Sequence, residues 1–152
     1  RPLASAATQP AAVERIGRKL EILFAAARGI EFEDGMPNEF SDELVSIVQR
    51  HGPAAMEAIT GLIVGEKIDP EVASEALRWL GRMKHMPTYR ARLWLLEQSL
   101  GCTSAKVRDG AVVGLSALDD PHAINAFRLA IDRERCLELR KDMEQVLDQL
   151  RE

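Results

Sequence analysis

The sequence has few cysteines and lacks any long hydrophobic run. Its 152 residues include only two cysteines, Cys102 and Cys136, which are too few for a disulfide framework. We therefore expect two free thiols and a reducing, cytoplasmic location. The most apolar stretch, Ala54–Val64, is interrupted by Glu57 and is much shorter than the roughly 20 residues that span a bilayer. A membrane is therefore not an expected partner.

An excess of positive charge is also absent. The formal net charge is −4 at pH 7 and the sequence pI is about 5.5. Nucleic acids and anionic lipids attract proteins through a positive field, so this balance does not favour nucleic acid as a partner. Aromatic residues make up only 5% of the chain, whereas hydrophobic residues, chiefly Ala and Leu, make up 46%. This composition predicts an all-α fold.

Motifs that carry chemistry are missing as well. The chain has no glycine-rich phosphate loop after a predicted strand, no Gly-x-Ser-x-Gly segment and no His-x-x-x-His pair. Its histidines, His51, His85 and His122, all lie near predicted turns between helices. We therefore predict no catalytic residues, no metal site and no cofactor, and we do not expect an enzyme.

Helical periodicity begins at residue 10 and continues to the end of the chain. Residues 1–9 are small and polar without periodicity, and we interpret them as a disordered tail. Residues 10–152 are interpreted as a single domain of eight helices, because each apolar stripe repeats at helical spacing and the joints between stripes are short. The predicted helical segments are 10–29, 38–51, 53–66, 70–84, 87–101, 104–118, 121–132 and 136–150.

An internal repeat organises these segments. Pro53, Pro87 and Pro121 stand at intervals of 34 residues, and each is expected to begin the second helix of a hairpin. Apolar positions such as Leu93 and Phe127 coincide when the copies are aligned. Self-similarity at this period predicts an α-solenoid, in which neighbouring hairpins bury each other's apolar faces.

Residues 104–124 carry the clearest copy and resemble a HEAT repeat of the short bacterial type. The matching positions are Val107-Arg108, Ala111, Leu115, Asp120-Pro121 and Ala123-Ile124. The resemblance implies a right-handed α-solenoid of about three HEAT-like hairpins with flanking N- and C-terminal helices. It also implies an ion pair between repeats, from Asp119 or Asp120 to Arg140.

The same resemblance implies a scaffold or regulatory subunit that binds another protein. A second copy of the chain is kept as a further candidate partner. Three alternatives remain open at this stage. They are an enzyme similar to the HEAT-like DNA glycosylases, a subunit similar to a bilin lyase, and a fragment of a larger multidomain protein. A glycosylase would require a continuous basic groove, which the acidic composition does not favour.

The outer face of the second helices is the predicted partner surface. In segment 87–101 we assign Tyr89, Leu93, Leu96 and Leu100 to the core and Trp94, Leu95 and Gln98 to the opposite face. The hypothesis is a groove centred on Trp94, because Trp and Arg dominate binding hot spots. The alternative is that Trp94 packs against a neighbouring helix, whereas Trp79 is assigned to the core. The proposed lining residues are Arg90, Trp94, Leu95, Gln98, Arg128 and Leu129, with Arg92 nearby.

Overall fold

The structure, a computed structural model, describes residues 10–152 and is helical throughout, with no strand in that range. The all-α prediction is therefore confirmed. The predicted tail, residues 1–9, lies outside the described residues. Short 3-10 turns, Met86–Thr88 and Pro121–Ala123, precede the fifth and seventh helices. The helices are α1 (Pro10–Ala26), α2 (Glu39–His51), α3 (Pro53–Val64), α4 (Pro70–Arg82), α5 (Tyr89–Ser99), α6 (Ala105–Leu118), α7 (Ile124–Arg133) and α8 (Leu137–Arg151).

Local sequence signals explain where the helices begin. The side chains of Asp69 and Ser104 each accept hydrogen bonds from two backbone N–H groups in the first turns of α4 and α6. Pro53 begins α3 directly, as predicted. Pro87 and Pro121 lie instead in the 3-10 turns, so α5 and α7 begin later than the proline spacing predicted. The predicted joints are otherwise close to the observed ones.

The helices form two rows. One row contains α2, α4, α6 and α8, and each helix contacts the next. The second row contains α1, α3 and α5 in the same sequential contact, while α7 packs mainly on α8. Contacts between α5 and α7 are sparse, so the second row opens at that point. This opening leaves a groove between the two helices.

Glycines allow α4 and α6 to approach each other closely, and these two helices make the most extensive contact in the fold. A Cβ atom added to Gly114 would lie 2.6 Å from the Leu77 carbonyl oxygen, and one added to Gly110 would lie 2.7 Å from the Ser74 Cα. A Cβ atom added to Gly81 would likewise overlap the backbone of Gly114. Gly110 and Gly114 on α6, with Gly81 on α4, are therefore positions of close helix approach.

α5 buries an arginine rather than the leucine that its pattern predicted. Arg92 is 1% exposed, whereas Leu93 is only partly buried. The Arg92 guanidinium donates to the carbonyl oxygens of Leu80 (2.7 Å), Met83 (3.1 Å) and His85 (2.7 Å). Burial lowers the pKa of Arg92 from its ordinary value. Arg92 thus satisfies carbonyls at and after the end of α4, and it does not belong to the predicted partner surface.

Ion pairs join different helices, as between Arg78 on α4 and Asp109 on α6 (2.9 Å), but not where the family resemblance placed them. Arg108 on α6 donates two hydrogen bonds, of 2.7 and 2.9 Å, to the buried carboxylate of Glu134. The predicted pair of Asp119 or Asp120 with Arg140 is wrong. Arg140 lies beside Glu144 on its own helix, while Asp119 and Asp120 accept hydrogen bonds from other side chains. Asp119 and Asp120 therefore already have hydrogen-bond partners, and neither pairs with Arg140.

No helix within residues 10–152 is both long enough and apolar enough to cross a membrane.

Candidate partner-binding surface

Trp94 lies on the outer side of the second row and is 50% exposed. With Ala91, also on α5, it lines a groove of about 450 Å³ against α3, to which Pro53, Met56 and Thr60 contribute. We call this the α3–α5 groove. Half of the indole thus contacts the chain and half faces solvent. This excludes complete burial of Trp94 by its own chain, which the alternative interpretation of its role required.

Leu95 does not belong to this surface, which corrects the predicted set. It is 0% exposed, because α5 contacts α3, α4 and α6 and is covered on more than one side. Trp79 is also misassigned, since it is only partly buried. Its indole N–H donates to Glu75 (2.8 Å), and the Arg82 guanidinium lies 4.9 Å from its ring centre.

The remaining predicted residues are exposed, but they do not form one continuous groove with Trp94. Gln98 and Leu129 line a second groove of about 630 Å³ between α5 and α7. We call this the α5–α7 groove. Leu129 is 60% exposed, and Arg90 and Arg128 also face solvent outside both grooves. The surface centred on Trp94 therefore has a groove on either side of α5.

The α5–α7 groove ends at the joint between α7 and α8. Arg108 and Glu134 lie there as a pair, in which the hydrogen bond from Arg108 lowers the pKa of Glu134. Cys102 lines the same end, and burial followed by the charge on Glu66 raises the pKa of its thiol. A raised pKa reduces the thiolate fraction at neutral pH, so Cys102 is not an activated nucleophile. Cys102 and Cys136 are both free thiols.

A polar bridge that sequence analysis missed joins α5 to the turn before α7. The Tyr89 hydroxyl donates to one oxygen of Asp120 (2.6 Å), and the other oxygen lies 2.7 Å from Nδ1 of His122. The hydrogen bond to Asp120 is the main cause that raises the pKa of Tyr89 to about 12, with burial second. Burial by itself would raise the pKa of Asp120, but hydrogen bonds from Tyr89 and His122 lower it below its ordinary value. The spacing of 31 residues between Tyr89 and Asp120 was the only sequence signal, and it is not distinctive.

Because Tyr89 is the only tyrosine in the chain, this bridge has a direct spectroscopic test. We expect the tyrosinate absorbance to appear with a midpoint at about pH 12, and to move toward 10 in the variant Asp120→Asn. The folded pKa lies above the ordinary value of 10.0. The stability contributed by this bond is therefore complete below about pH 10 and is lost as the pH rises toward about 12.

The matched control is Asp119→Asn, which removes the adjacent carboxylate but leaves the Tyr89 contact in place. A wild-type midpoint near 10, or equal midpoints for both variants, would show that the Tyr89–Asp120 hydrogen bond is absent in solution.

Other chemistry-bearing side chains do not converge. Within the part of the chain that the structure describes, no three His, Cys, Asp or Glu side chains are arranged to hold a metal ion. His122 is highly exposed and lies at a turn rather than in a cavity. His85 is hydrogen-bonded to Thr88 through Nδ1 (2.9 Å). What residues 10–152 do present is a pair of grooves on either side of a half-exposed tryptophan.

Comparison with known proteins finds no matching family model, no matching curated protein and no matching solved structure. The resemblance to HEAT repeats therefore stays a prediction that rests on the sequence motif of residues 104–124.

Proposed function

We propose that this chain is a non-catalytic protein-binding module or regulatory subunit, and that it recognises its partner through the surface around Trp94. The observation that carries the proposal is the exposure of Trp94 beside the α3–α5 groove. A large aromatic side chain that remains half exposed at the edge of an apolar depression is typical of a binding hot spot. Leu129, which is also exposed, adds an apolar contact on α7 in the separate α5–α7 groove.

The two rows of helices support a HEAT-like α-solenoid as the scaffold for this surface. In such a stack the first helices form one layer and the second helices the other, and each hairpin contacts mainly its neighbours. The sequential contacts within the α2–α4–α6–α8 row agree with that arrangement. A solenoid has no enclosed cavity of its own, so its extended helix faces supply the binding area. We propose the same cytoplasmic location that the free thiols suggest.

Capture experiments with a Trp94→Ala variant test the proposal. Wild-type protein is immobilised, exposed to native extract, and the retained proteins are identified by mass spectrometry. We expect at least one specific protein to be retained by the wild type and lost in Trp94→Ala, because hot-spot tryptophans contribute about 2 kcal/mol or more to binding. The variant should still fold, since Trp94 is half exposed and lies outside the buried core.

The matched control is Ile22→Ala, which removes a large side chain on α1 that is 71% exposed and distant in sequence from the surface. The same protein should be retained by this control. If Trp94→Ala and Ile22→Ala retain the same proteins as the wild type, the Trp94 surface is not the binding site.

A further inference from the structure

The α5–α7 groove has the dimensions of a short peptide site. Asn125 lies in the first turn of α7 and Arg133 in its last turn, and both line the groove. Their separation of eight positions corresponds to about 12 Å along the helix axis. An extended peptide covers that length with about four residues. Leu129 lies midway between them and offers an exposed apolar contact.

One end of this groove is basic. Arg133 and Arg135 both line it, and neither forms a salt bridge with another residue of 10–152. Arg108, at the same end, is already neutralised by Glu134. Two guanidinium groups are thus available to a ligand there, although the chain as a whole has a net charge of −4. Guanidinium groups bind carboxylates with two parallel hydrogen bonds when a partner supplies them.

The opposite end has one carboxylate and no cation among its lining residues. Glu97 lines the groove near the start of α7, where the charges of Asp120 and His122 act on it. Burial, and then the charge of Asp120, raises the pKa of Glu97 above its ordinary value. A ligand carboxylate placed at this end would be repelled. The groove therefore distinguishes the two directions in which a charged segment can lie.

From this charge pattern we infer that the α5–α7 groove binds an acidic peptide segment of the partner protein. The carboxylates of the segment contact Arg133 and Arg135, and an apolar side chain packs on Leu129, toward Glu97. The inference rests on the proposed partner-binding function and adds the chemistry of the partner to it. Charge complementarity of this kind sets orientation and association rate as well as affinity.

Fluorescence anisotropy with two eight-residue peptides labelled with fluorescein tests the inference. The first peptide has leucines in one half and three Asp or Glu residues in the other, and the second replaces those carboxylates with Asn and Gln. We expect the acidic peptide to bind about tenfold more tightly than the neutral one at low salt, and the difference to shrink as salt is added. The double variant Arg133→Glu/Arg135→Glu should lose the binding of the acidic peptide.

A charge-matched control is Arg15→Glu/Lys19→Glu, which makes the same change in net charge on the exposed face of α1. It should bind the acidic peptide like the wild type. Arg133 also lies in the last turn of α7, where a cation favours the helix, so the double variant carries a risk to stability. Arg135 lies in the joint between α7 and α8, so Arg135→Glu should weaken binding without that risk.

Equal binding of the acidic and neutral peptides, or equal losses in the α1 control and the groove variant, would overturn the inference. The inference would also be overturned, in favour of a nucleic-acid ligand, if a single-stranded DNA oligonucleotide of the same total charge bound the groove more tightly than the acidic peptide and displaced it. The proposed function fails separately. If Trp94→Ala retains the captured partner but the groove variant loses it, the Trp94 site is wrong and the acidic-segment inference stands.

Discussion

Replacing Arg92 with methionine is expected to destabilise the fold by about 3 kcal/mol. The side chain is 1% exposed, and its guanidinium supplies hydrogen bonds to three backbone carbonyls as well as to the hydroxyl of Thr88 (3.0 Å). Methionine fills a similar volume but donates nothing, and each buried polar group left without a partner costs about 1–3 kcal/mol. Removal of a buried charge offsets part of this loss. Urea denaturation followed by far-ultraviolet circular dichroism measures the difference.

Two variants show whether hydrogen bonds are the cause. Arg92→Lys keeps the charge, but its single ammonium group cannot reach all of the acceptors, so we expect an intermediate loss. Arg90→Met removes an exposed arginine from the same helix and should change the stability by no more than about 0.5 kcal/mol. An Arg92→Met variant as stable as Arg90→Met would mean that Arg92 does not cap the end of α4 in solution.

Replacing Gly81 with alanine is expected to be the other strongly destabilising change, by about 2–3 kcal/mol. The new Cβ would lie 2.5 Å from the Gly114 Cα, and the other nearest atoms, the carbonyl carbon and oxygen of Gly114, are also backbone atoms. A flexible side chain could move aside, but here α4 and α6 would have to separate along the most extensive contact in the fold. Gly114→Ala should have a similar effect from the other side of the contact.

Gly61→Ala provides the opposite expectation. Gly61 lies in α3 with open space where a Cβ would stand, so alanine adds helix propensity without a clash. We expect it to stabilise the protein by up to about 1 kcal/mol. Thermal or urea denaturation of Gly61→Ala and Gly81→Ala therefore separates the propensity gain from the packing loss. A Gly81→Ala variant that is stabilised like Gly61→Ala would contradict the close approach of α4 and α6.

The sequence predicts the glycine contacts between α4 and α6 and the burial of Arg92 to different extents. A glycine inside a helical pattern does not reveal which helix approaches it, so the contacts of Gly114 with Gly81 and of Gly110 with Ser74 could not be predicted. Arg92 could not be predicted at all, because its burial depends on the carbonyls of Leu80, Met83 and His85, which lie 7–12 residues earlier in the chain and are brought to it by the fold. The pattern of α5 also has apolar residues on most sides, as at Leu93, Leu95 and Leu96. It therefore did not define which side faces the core.

By itself, the sequence determined the helices, their order and most of their joints, because apolar periodicity, N-terminal caps and proline positions act over a few residues of the chain. It also indicated that Trp94 belongs on the outer face of the second helices. Only the tertiary structure decided that Leu95 is buried, that Asp120 pairs with Tyr89 rather than with Arg140, and that the outer face is divided into two grooves. The physical reason is that these features depend on which side of a helix its neighbours cover. That coverage is set by contacts between residues about 30 positions apart, which no local pattern records.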